Sequence, residues 1–92
     1  MTTPTKKAKG LTDTSVKSAK PTAKEYKLSD GHGLYLLVKP NGGKYWRLKY
    51  YFLDKEKLLA FGVYPDVSLK DARLKRDAAR KLLAKNIDPS EA

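Results

Sequence analysis

The sequence predicts an α+β domain: a small antiparallel β-sheet of three to four strands, backed by one C-terminal α-helix and preceded by a short N-terminal helix. Three observations predict it. Four strand-like segments, at about residues 24–29, 33–39, 44–52 and 56–61, are joined by connections too short for parallel crossovers. A capped amphipathic stripe follows from Ser68. The chain has 92 residues, no cysteine and one histidine, His32, so ordinary packing of one thin core must hold it without a disulfide or metal framework.

Taken in order, residues 1–10 (MTTPTKKAKG) combine Thr, Pro and Lys with almost no apolar groups and read as a mobile basic tail. Thr12 can cap a short helix from Asp13 to about Ala19, with Leu11 and Val16 as a hydrophobic staple and Pro21 preventing continuation. The strand segments are punctuated by Asp30-Gly31-His32-Gly33 and Pro40-Asn41-Gly42-Gly43, which tolerate positive φ, and by the short hairpin loop Leu53-Asp54-Lys55. Residues 63–67 read as an extended linker. Ser68 then opens the last helix, with Asp71 three residues later. Leu69, Ala72, Ala79, Leu83 and Ile87 form its apolar stripe, which should end near Lys85 or Asn86 before Pro89. Arg76 falls on that stripe, where its stem is expected to cover the sheet while its guanidinium reaches water.

Twenty Lys and Arg against ten Asp and Glu give a formal charge of +10 and point to a polyanionic partner. The excess is +4 over residues 1–30 (seven basic, three acidic), +4 over 31–62 (six, two) and +2 over 63–92 (seven, five). The longest unbroken apolar run, Leu34–Val38, is far too short to span a membrane, and the N-terminus lacks the apolar core of a signal peptide. A cytoplasmic protein with no membrane partner is expected.

The segment KYWRLKYYF, residues 44–52, holds five aromatic and three basic side chains. In a strand, neighbours point to opposite faces, so Trp46, Leu48, Tyr50 and Phe52 share the core side. Tyr45, Arg47, Lys49 and Tyr51 share the other. One helix covers only one face of a sheet, which leaves that second row for something outside the chain. By the same alternation Leu34, Leu36, Val38, Leu59 and Phe61 point in, while Tyr35, Leu37, Lys39, Leu58 and Ala60 point out. Arginine reads guanine bidentately, apolar groups meet thymine methyls, and Lys or Tyr anchors on phosphates in the major groove of duplex DNA. Sheets that bind single-stranded RNA use the same residue types, and the tyrosines alone do not separate the two. Cross-strand aromatic pairs that merely stabilise a soluble sheet are the plainer alternative.

The ordered phrases LTDT, SDGxGLYLLV, KYWRLKY, GxYPxVSL and DARxxRDxARKLL, running from Leu11 to the last residue, resemble the amino-terminal arm-type DNA-binding domain of phage and prophage tyrosine integrases. That resemblance implies a sheet, backed by the helix, docked in the major groove of double-stranded DNA at arm-type sites. It implies other integrase subunits and a host DNA-bending protein as partners in integration and excision. Carried over by position, Tyr45, Arg47, Lys49 and Tyr51 are the leading DNA contacts, with Tyr35 on the same platform and Lys39 and Lys57 near the rim. Lys6, Lys7 and Lys9 would follow the backbone or enter a minor groove. Leu58 departs from the pattern, where a polar residue such as Thr is common. The expected organisation is a tail at 1–10, the arm-type domain at 11–87, and at 88–92 the start of a linker toward a core-binding and catalytic region outside this chain.

Catalysis by these 92 residues is not expected, and no cofactor or metal is. His32 sits between two glycines in a turn, without companions at metal-ligand spacing. Gly31-x-Gly33 lacks a third glycine at position 36 and opens a strand, which removes it as a nucleotide loop. Tyr51 has one arginine near it rather than the converging donors that a nucleophile attacking phosphate needs. The rival from another class is a protein-interaction module for subunit or accessory-factor contacts, using Leu74, Ala78 and Leu82 on the far side of the helix. The i,i+4 pairs Asp71/Lys75 and Asp77/Lys81 make that side read as a solvated face.

Overall fold

The computed structural model describes residues 10–91, which form α1 (Asp13–Ser18), β1 (Tyr26–Gly31), β2 (Leu34–Val38), β3 (Lys44–Phe52), β4 (Lys55–Val63) and α2 (Leu69–Ala84). The expected α+β arrangement is the one that forms. The four strands make a single antiparallel meander in the order β1-β2-β3-β4. Lys6, Lys7 and Lys9 lie outside the described residues, and among those described no helix is long and apolar enough to cross a membrane.

Local chemistry fixes each boundary. The Thr12 hydroxyl accepts the Ser15 N–H at 3.0 Å and the Ser15 hydroxyl accepts the Thr12 N–H at 2.9 Å, a reciprocal cap that starts α1. Ser68 accepts the Asp71 N–H at 3.1 Å and starts α2, which stops where Asn86 turns to φ 64°. The hairpin between β3 and β4 is tighter than expected: Phe52 pairs with Lys55, so Leu53 and Asp54 are its whole loop, both at positive φ (52° and 65°). Gly33, at φ 89°, is required twice over, because a Cβ there would lie 2.1 Å from the Lys49 carbonyl oxygen.

Two bulges break the register. Asp30 is the extra residue between the pairs Ser29–Tyr35 and Gly31–Leu34, and Phe61 the extra residue between Trp46–Gly62 and Arg47–Ala60. A bulge re-aims a side chain. Phe61 packs toward the core, as alternation from Leu59 places it, and the bulge turns Val63, the partner of Tyr45, to the opposite face; β4 ends at Val63, so the expected linker over 63–67 begins one residue later.

The core lies between the sheet and the two helices. Trp46, Leu34, Leu36, Leu48, Val16 and Val38 are almost completely enclosed, and α2 contributes Leu69, Ala72 and Ala79. Ala at two of these positions lets the helix approach the sheet closely. The Trp46 indole N–H donates to the Val67 carbonyl at 2.8 Å, so the largest core side chain also pins the segment leading into α2. Tyr64–Pro65, in that segment, is a cis peptide.

Two buried carboxylates tie the helix side together. Asp30 accepts from the Leu11 N–H (2.7 Å), from Arg73 Nε and Nη2 (2.9 and 2.8 Å) and from Arg76 Nη1 (3.0 Å), while Arg73 also donates to the Leu11 carbonyl at 2.6 Å. Arg76 thus departs from the expectation of a guanidinium in water: its side chain is enclosed, because a bulge delivered a carboxylate beneath the helix. Asp88 accepts from the Tyr50 hydroxyl (2.6 Å), the Ser90 N–H and hydroxyl (3.0 and 2.9 Å) and the Lys57 ammonium. The packed unit consequently runs past residue 87, where a linker was expected to begin.

Candidate nucleic-acid interface

The face of the sheet opposite α2 is built from every second residue of each strand. Its rows across the sheet are Lys27–Leu37–Tyr45–Val63, then Ser29–Tyr35–Arg47–Ala60, then Lys49–Leu58 and Tyr51–Glu56. The alternation in β3 is as expected: Trp46, Leu48 and Tyr50 are buried, while Lys49 and Tyr51 are exposed and Tyr45 and Arg47 half-buried.

On β2 the expectation needs refinement. Tyr35 and Leu37 belong to the outer rows but are only 8 % and 4 % exposed. As residues of a central strand they are flanked on both sides, and long neighbours close over them. The Lys27 ammonium lies 5.1 Å from the centre of the Tyr35 ring, and Lys39 lies 5.6 Å from that of Tyr45. Tyr35 and Leu37 form the floor of the face, and the surface a partner would meet is made by the cations above them.

The exposed apolar groups stand instead toward β4: Tyr51 (63 % exposed), Leu58 (51 %) and Val63 (42 %). Lys57 does not join them. Its register partner is Tyr50, it lies on the helix side, and its ammonium is held by Asp88. The physical reason is the same period of two that puts Leu59 inside.

Electrostatics separate the two faces further. Burial alone would raise the pKa of Asp30, but donation from Arg73 and the Leu11 N–H, with the charges of Arg73 and Arg76, outweighs it and holds the carboxyl below its ordinary range. The Lys57 ammonium and the Tyr50 hydroxyl hold Asp88 still lower. Reciprocally, the hydrogen bond to Asp88 raises Lys57, and burial together with that carboxylate raises Tyr50. These are settled charges.

On the outer rows Glu56 is the only carboxylate. It sits 3.6 Å from the Lys49 ammonium and accepts from the Tyr51 hydroxyl at 3.2 Å, with both partners of the ion pair about half exposed. Arg47 has no carboxylate within salt-bridge distance among the described residues, and its Nε is buried without a hydrogen-bond partner. An unmatched buried N–H of this kind costs about 1–3 kcal/mol. An acceptor brought by a partner would remove that cost only if the side chain turned outward to meet it.

Position and pattern made Tyr45, Arg47, Lys49 and Tyr51 visible in the sequence, and the fold gathers them with Lys39 on one face. Lys27, Ser29 and Val63 were missed. The signal for the first two was available, since Tyr26 and Leu28 pack against the core and the residues between and after them must point the other way. Val63 depended on a bulge, which no alternation rule reveals.

Residues 11–92 match the family described as "Arm DNA-binding domain". The prophage integrase IntA of Escherichia coli K12 is 51% identical over 88 residues, covering 94% of this chain and 21% of the relative. The integrase of Enterobacteria phage P4 is 57% identical over 76 residues (80% of the chain, 17% of the relative), and that of Shigella phage Sf6 46% over 82 residues (89% and 21%). The chain spans about a fifth of the length of these curated relatives.

Proposed function

The chain belongs to the arm DNA-binding domain family, and on that premise we propose that it binds duplex DNA at arm-type sites through the outer face of its sheet, as the DNA-anchoring part of a tyrosine recombinase acting in integration and excision. The observation that carries this reading is Arg47. It lies on the third strand of the meander, flanked by small Ala60, with no acid among the described residues at salt-bridge distance and an unmatched Nε.

In this reading β3 runs along the major groove, Arg47 reads guanine, and Tyr51, Leu58 and Val63 lie against base edges and thymine methyls. Tyr45, Lys49 and Lys39 reach phosphates, as do Lys6, Lys7 and Lys9 of the tail. Other integrase subunits and a host DNA-bending protein complete the assembly on bacterial DNA in the cytoplasm, and cleavage belongs to regions outside this chain.

The test is Arg47→Ala, titrated against a duplex selected from a random pool and against unselected duplex. The expected loss is on the order of 1–3 kcal/mol on the selected duplex and much less on the other. Equal losses on both would refute direct readout by that side chain.

A second reading has one observation in its favour. Leu74 is 58 % exposed on α2 and lines, with Ala78, Arg80 and Ala84, a broad depression of about 680 Å³. If a neighbouring subunit docks there, the domain will self-associate without DNA, and Leu74→Ala will abolish that association while leaving DNA affinity intact.

A further inference from the structure

The outer face carries one depression that the function so far leaves unused. It has a volume of about 250 Å³ and is lined by Lys27 and Ser29 of β1, by Gly33, Leu34 and Tyr35, and by Lys49 of β3. At about 30 Å³ per water it holds roughly eight water volumes, enough for a phosphodiester group with part of its hydration. Its lining residues carry two ammonium groups (Lys27, Lys49) and two hydroxyls (Ser29, Tyr35), and none of them is a carboxylate. Gly33 keeps the site open and cannot be exchanged for a larger residue, because its Cβ would strike the Lys49 carbonyl.

We infer that this depression seats one backbone phosphate of the bound duplex, with Lys27 and Lys49 supplying charge and Ser29 a hydrogen bond. The inference rests on the proposed mode of DNA binding. Its geometric warrant is the spacing of the strands. With β3 along the centre of the groove, β1 lies two strand spacings away, about 9.6 Å. The major groove is about 12 Å wide, so its wall stands about 6 Å from the centre. Side chains of β1 therefore overlie the sugar-phosphate backbone rather than base edges. Lys27 is placed for this by its position over the Tyr35 ring. Lys49 is free to join, since a half-exposed pair such as Lys49–Glu56 is worth at most about 1 kcal/mol and yields readily to phosphate.

The experiment compares the wild-type domain with Lys27→Ala and Ser29→Ala on one duplex across a series of salt concentrations. Both positions are exposed, so both variants should keep the wild-type circular dichroism and melting curve. For Lys27→Ala the log-log salt dependence should flatten by roughly 0.9, one phosphate contact's worth. For Ser29→Ala the affinity should fall several-fold with no change in slope, because a hydroxyl displaces no counterion. An unchanged slope in Lys27→Ala, with wild type binding duplex normally, would overturn the seat and leave the DNA-binding reading standing. Absence of duplex binding by wild type would overturn both.

Discussion

The two faces of the sheet carry similar numbers of cations and treat them in opposite ways. On the helix side the cations packed against the sheet are committed, Arg73 and Arg76 to Asp30, Lys57 to Asp88, and Lys44 to the Val16 and Lys17 carbonyls at the end of α1, while Lys70, Lys75, Arg80 and Lys81 on the solvent side of α2 have no carboxylate within salt-bridge distance among the described residues. On the outer side Lys27 and Lys39 lie over aromatic rings, Arg47 is unpaired, and Lys49 shares the lone Glu56. A formal charge of +10 is thus a poor guide to where a polyanion lands. The cations packed against the helix side of the sheet are already bonded within the fold, and in the proposed reading those of the outer face are the ones that meet DNA.

The sharpest way to break that division is to remove the acid beneath the helix. Asp30→Ala should cost on the order of 3 kcal/mol of stability, because it removes the buried acid that Arg73 and Arg76 share, leaves Arg76 only the exposed Asp77 and frees the Leu11 N–H; the partial exposure of Arg73 keeps the loss at the low end of the range for buried pairs. Urea denaturation measures it. The folded fraction should bind duplex with wild-type affinity, and a parallel loss of affinity would show that the helix side also serves DNA. The pH dependence follows the same groups. The Asp30 carboxyl is depressed in the folded state, so its stabilisation is complete above the unfolded value near 4 and is lost as pH falls through the folded one. Asp88 acts in the same direction. Acid unfolding should therefore begin below about pH 4, and Asp30→Asn should flatten it.

What the sequence made legible divides along the same line. The outer row of β3 could be read because period two is a property of the strand itself, whatever surrounds it. Four strands and two capped helices were legible for the same reason, as local chemistry: Thr12, Ser68 and the glycines act within a few residues of themselves. Asp30 and Asp88 were not legible, since one reads as a turn residue in SDG and the other as part of a polar C-terminus. Their partners lie 43 and 38 residues away, at Arg73 and Tyr50. Long-range polar pairing of this kind leaves no periodic trace.

A smaller effect is expected at the acid that interrupts the outer face. Glu56→Gln removes the only carboxylate on those rows, releasing Lys49 from its counter-charge while keeping an amide oxygen that can accept from the Tyr51 hydroxyl. Affinity for any duplex should rise about two- to fivefold, the equivalent of an exposed ion pair no longer competing. Fluorescence anisotropy on selected and unselected DNA reads this directly. A loss confined to the selected duplex would mean that Glu56 contacts a base, as a carboxylate does at the amino group of cytosine.

The smallest effect on binding is the most discriminating, because composition and position both count Lys57 as a basic residue of a DNA-binding strand. Its ammonium is turned to the helix side and bound to Asp88, which in turn holds Tyr50 and Ser90. Lys57→Ala should lower the melting temperature, since it leaves a buried carboxylate short of its counter-charge. Duplex affinity and the slope of its salt dependence should both stay at wild-type values. A slope flattened by roughly 0.9 would show that Lys57 leaves Asp88 to meet a phosphate. In that event the helix-side cations would be a reserve that DNA can draw on, and local neutralisation would not distinguish the two faces.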